Sequence, residues 1–498
     1  MHHWSTDHRT ERRDHDILPN PTRPPPRPRG RAGRRGHGTG PDRASPSPVA
    51  GRNSFRDASP ESYTAFGGNP PRPARRCCLC RWTGDLTMRI LLVHERYRQR
   101  GGEDVVVETE QALLAAHGAD VATLIDDNAR IGDAGSLRLA AGTVWSREGY
   151  GMVSRAVAEH RPDILHVHNT FPLLSPSIYY AAQRHGIPVV QTLHNFRLMC
   201  ANGFMLRDGK ACDLCLERTV KWPAVRHACY RDSRLASAAV AAMAGFHHGI
   251  GTWRSKVDLF LALNPHSRNL FIKGGLPPDR VAVCPPAVRD PGPRPAENDD
   301  RAGALFVGRL SQEKGLEPLI EAWRGIDAPL DIIGEGPLGE RLAREAPPQV
   351  RFLGGMSYEG VSAAMTRSSI LLFPSLWYEN FPLVVAEAMA HGLPVLASAD
   401  SAVVHMISDG ETGAFALAGD VADWRNRLSA LMARPDRLRR MGRAARTMFE
   451  TRFSDAPAYE RRMALYRQVL AARAHPAPDA GRKARGIIAD GQDQGKAG

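Results

Sequence analysis

Short apolar runs recur in two series along the chain, each long enough for one strand, with helix-length spacers between them. The first series is Ile90–Val93, Ala119–Leu124, Ile164–His168, Val189–His194 and Leu259–Leu263. The second is Ala304–Val307, Leu330–Ile333, Val350–Leu353, Ile370–Phe373 and Val395–Ala397. Parallel strands covered on both faces read as continuous apolar runs, and each return to the same sheet edge needs a crossover helix. Segments Val106–His117, Leu316–Arg324, Leu338–Glu345 and Val384–Ala390 suit that role. The pattern predicts an α/β fold: two doubly wound Rossmann-like domains, 88–284 and 285–470, joined through the Pro-rich stretch Cys284–Asp300. Ligands of such sheets lie outside the carboxyl ends of the strands, so two facing domains share one interdomain cleft.

A hydrophobic fraction of 42% and a charged fraction of 24% exclude collagen-like and fully disordered classes. The longest apolar candidate, Leu235–Ile250, is short of the roughly 18 residues a bilayer span needs and is interrupted by His247 and His248. No amphipathic basic helix stands out. The net charge of +13 is unevenly spread: residues 1–87 hold 16 Arg, no Lys and 8 acids. That stretch is Pro/Gly-rich, without apolar periodicity, and is expected to be a disordered extension. Its all-Arg usage also fits upstream GC-rich DNA, with Met88 as the true start. A nucleic-acid partner, which would want its basic patch on folded parts, is not expected. From Ala471 onward a disordered tail is expected.

Two segments of the second series carry the chemistry. After Ile370–Phe373 comes Pro374-Ser375-Leu376-Trp377-Tyr378-Glu379-Asn380-Phe381-Pro382, with Glu387 eight residues beyond Glu379 in the following helix. Pro382 suits the first helical turn. A helix N-terminus offers free N–H groups to an anion, and carboxylates accept well from sugar hydroxyls. After Ala304–Val307 comes Gly308-Arg309, followed by Lys314-Gly315; an Arg fork and a Lys point charge suit a diphosphate. In the first series Gly101-Gly102-Glu103 follows a strand without forming a dinucleotide fingerprint, and His194 closes another strand. Of His166 and His168, at least one is expected to be structural.

In these motifs, with Thr192-Leu193-His194-Asn195 and Gly334-Glu335-Gly336-Pro337, the chain from Met88 to about Leu470 resembles the GT-B glycosyltransferases of family 4, the retaining, nucleotide-sugar-dependent class. The resemblance implies that Arg309 and Lys314 bind the donor diphosphate and that Glu387 holds the ribose. It implies that Glu379, with the backbone of Asn380, Phe381 and Pro382, holds the transferred hexose. Gly101 and Gly102 would face the phosphates, and His194 would sit by the reacting carbon. Catalysis in that class is metal-independent. A glycan or lipid-linked acceptor, a role in cell-surface polysaccharide synthesis, and a cytoplasmic location at the inner membrane face follow as expectations. The alternatives are a catalytically degenerate assembly partner or another GT-B enzyme such as an epimerase. Where the family carries Gly-Gly and Glu before Asp409, this chain has Ser401-Ala402 and His405.

Cys200, Cys212, Cys215 and Cys229 form an insertion, 200–229, after His194. Cys212-x2-Cys215 is a chelate-sized pair, so a structural zinc is one expectation, with His227 as a substitute ligand; reduced thiols or a redox disulfide are the others. Cys77, Cys78 and Cys80 belong to the N-terminal extension, and Cys284 is expected to pack.

Overall fold

The computed structural model describes residues 87–98, 100–131, 136–292, 301–399 and 402–475. The disorder expected for 1–86 and beyond 475, Cys77, Cys78, Cys80 and Ser401 lie outside the described residues.

Two six-stranded parallel sheets form in succession. The first uses β1 (Arg89–Arg96), β2 (Asp120–Asp127), β3 (Ile164–Val167), β4 (Val189–Leu193), β7 (Leu259–Ala262) and β8 (Val281–Val283), in the order β2-β1-β3-β4-β7-β8. A two-residue-armed hairpin, β5 (Leu206–Arg207) with β6 (Lys210–Ala211), lies in the cysteine insertion. Helices α1 (Gly102–Ala116), α2 (Ser136–Val144), α3 (Arg147–His160), α4 (Ser177–Arg184), α5 (Trp222–Arg226), α6 (Arg234–Gly249), α7 (Thr252–Ser255) and α8 (Pro265–Lys273) fill the crossovers. The first strand shows why the sequence signal was strong: Ile90, Leu91, Leu92 and Val93 are all at most 1% exposed, covered from both faces.

The second sheet comprises β9 (Ala304–Val307), β10 (Leu330–Ile333), β11 (Val350–Gly354), β12 (Ile370–Phe373), β13 (Val395–Ser398) and β14 (Gly413–Ala416), in the order β11-β10-β9-β12-β13-β14. Its helices are α9 (Leu316–Trp323), α10 (Gly339–Glu345), α11 (Tyr358–Arg367), α12 (Leu383–Ala390), α13 (Val421–Met432), α14 (Pro435–Arg452) and α15 (Asp455–Ala474). In both sheets the order reverses beside the first strand, which opens a crevice at the carboxyl ends next to β1 and β9.

The last helix departs from the sequence-based division. Although it lies within 285–470 for most of its length, α15 buries Met463, Tyr466 and Val469 against Met88, Ile90, Leu92 and Leu114 of the first sheet's core. Each such side chain contributes about 1.5–3 kcal/mol, so α15 is part of the first core. The helix also runs to Ala474, past the expected tail start at Ala471, because Ala471-Ala472-Arg473-Ala474 are good helix formers.

Candidate functional site

The second sheet supplies two loops that meet. After β9 the chain passes Arg309, whose exposed guanidinium has no hydrogen bond or ion pair among the described residues, and makes a short turn Gln312–Lys314. Gly315 ends that turn at φ +69°, where a Cβ would stand 2.0 Å from Pro374 O. Only glycine lets the Lys314 turn lie flat on the loop after β12. Gly334 is held as tightly, with a Cβ position 1.9 Å from Gly308 O, and Leu310 N–H donates to Glu335 O at 2.9 Å. The Gly334-Glu335-Gly336 turn thus braces the Arg309 loop from behind.

Lys314 Nζ reaches across to Glu379 Oε1 at 2.5 Å, and Ser375 Oγ donates to the same oxygen at 3.0 Å. The pair is partly buried, 20% and 11% exposed. Helix α12 starts beyond it. Pro382 is its N-cap residue rather than part of the first turn, with ψ 101°. The N–H groups of Asn380, Phe381, Leu383 and Val384 have no protein acceptor among the described residues, so the positive end of α12 opens beside Glu379. Glu387 follows on the second turn, half-buried, its carboxylate without a hydrogen bond or ion pair among the described residues; burial pushes its carboxyl up.

Of the three residues expected to present backbone to a sugar, two have occupied side chains. Asn380 Nδ2 donates to Leu193 O at 2.7 Å, and Asn264 Nδ2 donates to Asn380 O. Asn380 therefore bridges the two sheets, leaving its N–H for a ligand. Phe381 packs edge-on against Phe453, ring centroids 5.7 Å apart. Tyr378 stacks on His266 at 4.1 Å, and Trp377 meets Phe204 of the cysteine insertion at 5.1 Å.

From the first sheet, the loop after β1 faces this helix end. Gly101 N–H donates to Asp104 Oδ2 at 2.8 Å, and Asp104 Oδ1 lies 2.9 Å from His94 Nε2. A Cβ at Gly102 would stand 3.4 Å from Leu383 Cδ1, so Gly101 and Gly102 lie over the start of α12. Next to them Asn195 Nδ2 donates to Glu103 Oε1 at 2.8 Å; Glu103 Oε2 is buried without a partner among the described residues, and burial pushes its carboxyl up.

His194 stands just beyond β4, half-buried, with Nε2 2.9 Å from His168 Nδ1. Burial drives it down to about 3, so the ring is neutral. His166 is structural, as one of the pair was expected to be: Thr192 Oγ1 lies 2.8 Å from its Nε2, and Tyr466 Oη 2.7 Å from its Nδ1. Glu110, Arg462 and Tyr466 belong to the same buried cluster and escaped sequence reading. Glu110 looks like any core-facing helix position, and Arg462 lies 296 residues from His166, so no local spacing ties them together.

The zinc expectation is not carried by the geometry. Cys200, Cys212, Cys215 and Cys229 are free and half-buried, and they do not form a group whose ligand atoms lie within 4.8 Å of one another; His227 joins no such group. Cys200 Sγ instead donates to Asn202 Oδ1 at 2.9 Å, while Cys215 and Cys229 pack beside Ala224 and Met243. Among the described residues the one set that close is Glu110, His166 and His168, and there Arg462 Nη1 already sits 2.8 Å from Glu110 Oε1. Cys284 is fully buried, as expected of a packing residue.

Two parallel-sheet domains whose carboxyl-end loops converge on an open helix N-terminus define the GT-B class. Residues 96–290 match the family model Glycosyltransferase Family 4, and residues 293–448 match Glycosyl transferases group 1. The chain belongs to the GT-B glycosyltransferases of the family 4 type. It is 36% identical over 137 residues to phosphatidyl-myo-inositol mannosyltransferase of Mycobacterium leprae, covering 26% of this chain and 36% of that protein. It is 30% identical over 235 residues to D-inositol 3-phosphate glycosyltransferase of Gordonia bronchialis, covering 41% and 51%. The chain thus spans about a third to a half of the length of such curated relatives. In fold it is similar to Anabaena HepE in complex with UDP and glucose, at TM-score 0.54 and 16% identity over 76% of this chain and 100% of that one. Sucrose-phosphate synthase from Thermosynechococcus elongatus gives 0.56 and 18%, over 77% and 100%.

Proposed function

We propose that the chain moves a hexosyl group from a nucleotide-diphosphate sugar to a hydroxyl of a glycan or lipid-linked acceptor, with retention, in cell-surface polysaccharide synthesis. The observation that carries this reading is the Lys314–Glu379 pair set at the open N-terminus of α12, with Arg309 beside it and the Glu387 carboxylate behind it, both unpartnered among the described residues. Departure of a nucleoside diphosphate builds negative charge. In this reading Arg309, Lys314 and the N–H groups of Asn380, Phe381, Leu383 and Val384 stabilise it. Glu387 accepts from ribose hydroxyls. Glu379, freed as Lys314 turns to phosphate, accepts from hexose hydroxyls. His194, neutral, contacts the sugar or the acceptor. The UDP and glucose bound by Anabaena HepE, a fold neighbour, support a nucleotide-sugar donor, and the lipid named for the Mycobacterium leprae relative supports a lipid-linked acceptor.

The proposed setting is the cytoplasmic face of a membrane. The five described cysteines are all free, as in a reducing compartment. Helix α6 leaves Leu235, Phe246 and Ile250 at 62%, 46% and 47% exposed along one face, with Trp222 of α5 and Val220 exposed nearby. Arg231, Arg234 and Arg254 flank the stripe at its two ends. No described helix is long and apolar enough to cross a membrane; an apolar stripe edged by Arg suits the interface of an anionic bilayer. The apolar run Leu235–Ile250, too short in the sequence to span a bilayer, is this helix.

Turnover tests the proposal. Incubated with UDP-, GDP- and ADP-hexoses, the full chain should release nucleoside diphosphate faster when a lipid-linked saccharide is added, and the new linkage should keep the donor's anomeric configuration by NMR. Glu379→Gln should lower the rate at least about 100-fold, the loss expected when a charge-assisted contact to the reacting sugar is removed. Donor binding without release under any condition would favour the degenerate assembly partner.

A further inference from the structure

Behind His194 the cleft is backed by buried polar groups from three distant segments. The rings of His194 and His168 lie at 23° to each other with centroids 5.2 Å apart, joined through His194 Nε2 and His168 Nδ1. Among the described residues the other nitrogen of His168, Nε2, is buried without a hydrogen-bond partner. It lies 3.9 Å from Glu110 Oε2, which is also buried and without one. Glu110 Oε1, by contrast, is held by Arg462 Nη1 at 2.8 Å and lies 2.9 Å from His166 Nδ1. Burial by itself would raise the Glu110 carboxyl, but Arg462 and His166 outweigh it and bring it down to about 2, so the group is a carboxylate. Burial holds His168 well below the usual imidazole range and His194 at about 3; each ring is neutral and carries one proton.

One placement of those protons suits the geometry. A proton on His168 Nε2 points positive density at the anionic Glu110 Oε2, whereas a proton on Nδ1 would set a lone pair against it. With Nε2 protonated, His168 Nδ1 is an acceptor, and the 2.9 Å contact requires His194 to donate from Nε2. His194 Nδ1 is then a lone pair, and among the described residues it has no partner. We propose that Glu110 and His168 are positioning residues that hold His194 as the Nε2–H tautomer, so that its Nδ1 accepts a hydrogen bond from a hydroxyl of the bound sugar or acceptor. Arg462, on the helix that returns from the second domain to the first core, anchors Glu110 in this arrangement. The inference rests on the reading above that His194 meets the ligand.

The tautomer is directly measurable. Full-length chain labelled with nitrogen-15 histidine is examined by long-range proton–nitrogen correlation, with the His194 signals assigned by their loss in His194→Gln. The wild type should show His194 Nδ1 unprotonated and Nε2 protonated. His168→Phe, which removes the acceptor, should convert this to a mixture of tautomers and lower turnover about tenfold, the value of one buried hydrogen bond, while affinity for the nucleoside diphosphate alone stays unchanged. A protonated Nδ1 in the wild type overturns the proposal, and so does an unaltered tautomer in His168→Phe. Should that variant not fold, the wild-type spectrum alone decides. If His194→Gln leaves turnover unchanged, the ligand contact of His194 fails, while the tautomer result still judges the positioning device.

Discussion

Gly315 places Lys314, the cation proposed to meet the donor diphosphate, and its role is separable from that of an ordinary turn glycine. Both Gly315 and Gly186 have positive φ, +69° and +74°, but a Cβ at Gly186 meets nothing within 4 Å, whereas one at Gly315 runs into Pro374 O. Gly186→Ala should therefore cost only the roughly 1 kcal/mol of a left-handed alanine. Gly315→Ala must also push the Lys314 turn off the loop that carries Glu379. We expect it to lower the unfolding midpoint clearly more than Gly186→Ala and to weaken nucleotide-sugar binding, which Gly186→Ala leaves alone. Equal midpoints and equal affinities in the two variants would show that the loop contact does not set the site. The sequence made Lys314, Glu379 and Glu387 legible as candidates because each sits in a motif beside a strand end. It did not reveal that Lys314 and Glu379 are paired, or that the Asn380 side chain is spent between domains, since both depend on which distant loops touch.

At the scale of elements, the strands were readable because each is a continuous apolar run buried on both faces. The returning helix α15 was not. Its apolar residues Met463, Tyr466 and Val469 would serve either domain, and only the packing decides that they cover β1 rather than the second sheet. That helix brings Arg462 and Tyr466 to the histidines of β3, with a consequence for pH. Burial depresses His166, His168 and His194 below the usual 6.5, so the unfolded chain binds protons there that the folded chain refuses. Stability then rises with pH in this range and falls as pH drops below about 6.5, each group adding up to ~1.4 kcal/mol per pH unit. Glu110, held at about 2, adds to the loss below its unfolded value of 4.5. Glu95 works the opposite way: burial pushes it up to about 8 against the N–H bonds of Leu173 and Leu174, so its stabilisation is lost as pH rises from 4.5 to about 8. Glu103 and Glu387, also pushed up by burial, act with Glu95, while the depressed His247, His248, His266, His391 and His405 act with the three, so below pH 6.5 the histidines leave a net fall on the acid side. Urea midpoints should decline as pH falls from 6.5 to 5, and His168→Phe should flatten the decline; a level profile over that range would contradict the buried-neutral assignment.

For the whole molecule, the two sheets contribute unequally: the second offers cations, free N–H groups and two carboxylates, and the first offers a glycine loop, a histidine and the exposed apolar stripe of α6. The stripe gives a prediction of its own. Full-length chain should cosediment with vesicles containing anionic lipid and much less with neutral ones, and Phe246→Ser with Ile250→Ser should weaken this several-fold without changing nucleotide-sugar affinity. Binding that is indifferent to both lipid charge and the two substitutions would remove α6 as the membrane face. The cysteine insertion packs on α6 through Cys215 and Cys229 and reaches the loop after β12 through Phe204 and Trp377.

Everything proposed for the chain depends on the donor cleft, and thermal unfolding of the full chain with a panel of UDP-, GDP- and ADP-sugars probes that cleft without needing the acceptor. A donor present at about 100 times its dissociation constant adds roughly 2.7 kcal/mol to stability, an easily visible shift. We predict a clear rise in midpoint with one nucleotide class, reduced in Glu387→Ala and in Arg309→Ala; no rise with any nucleotide sugar, or an equal rise in both variants, would contradict the assignment of the cleft.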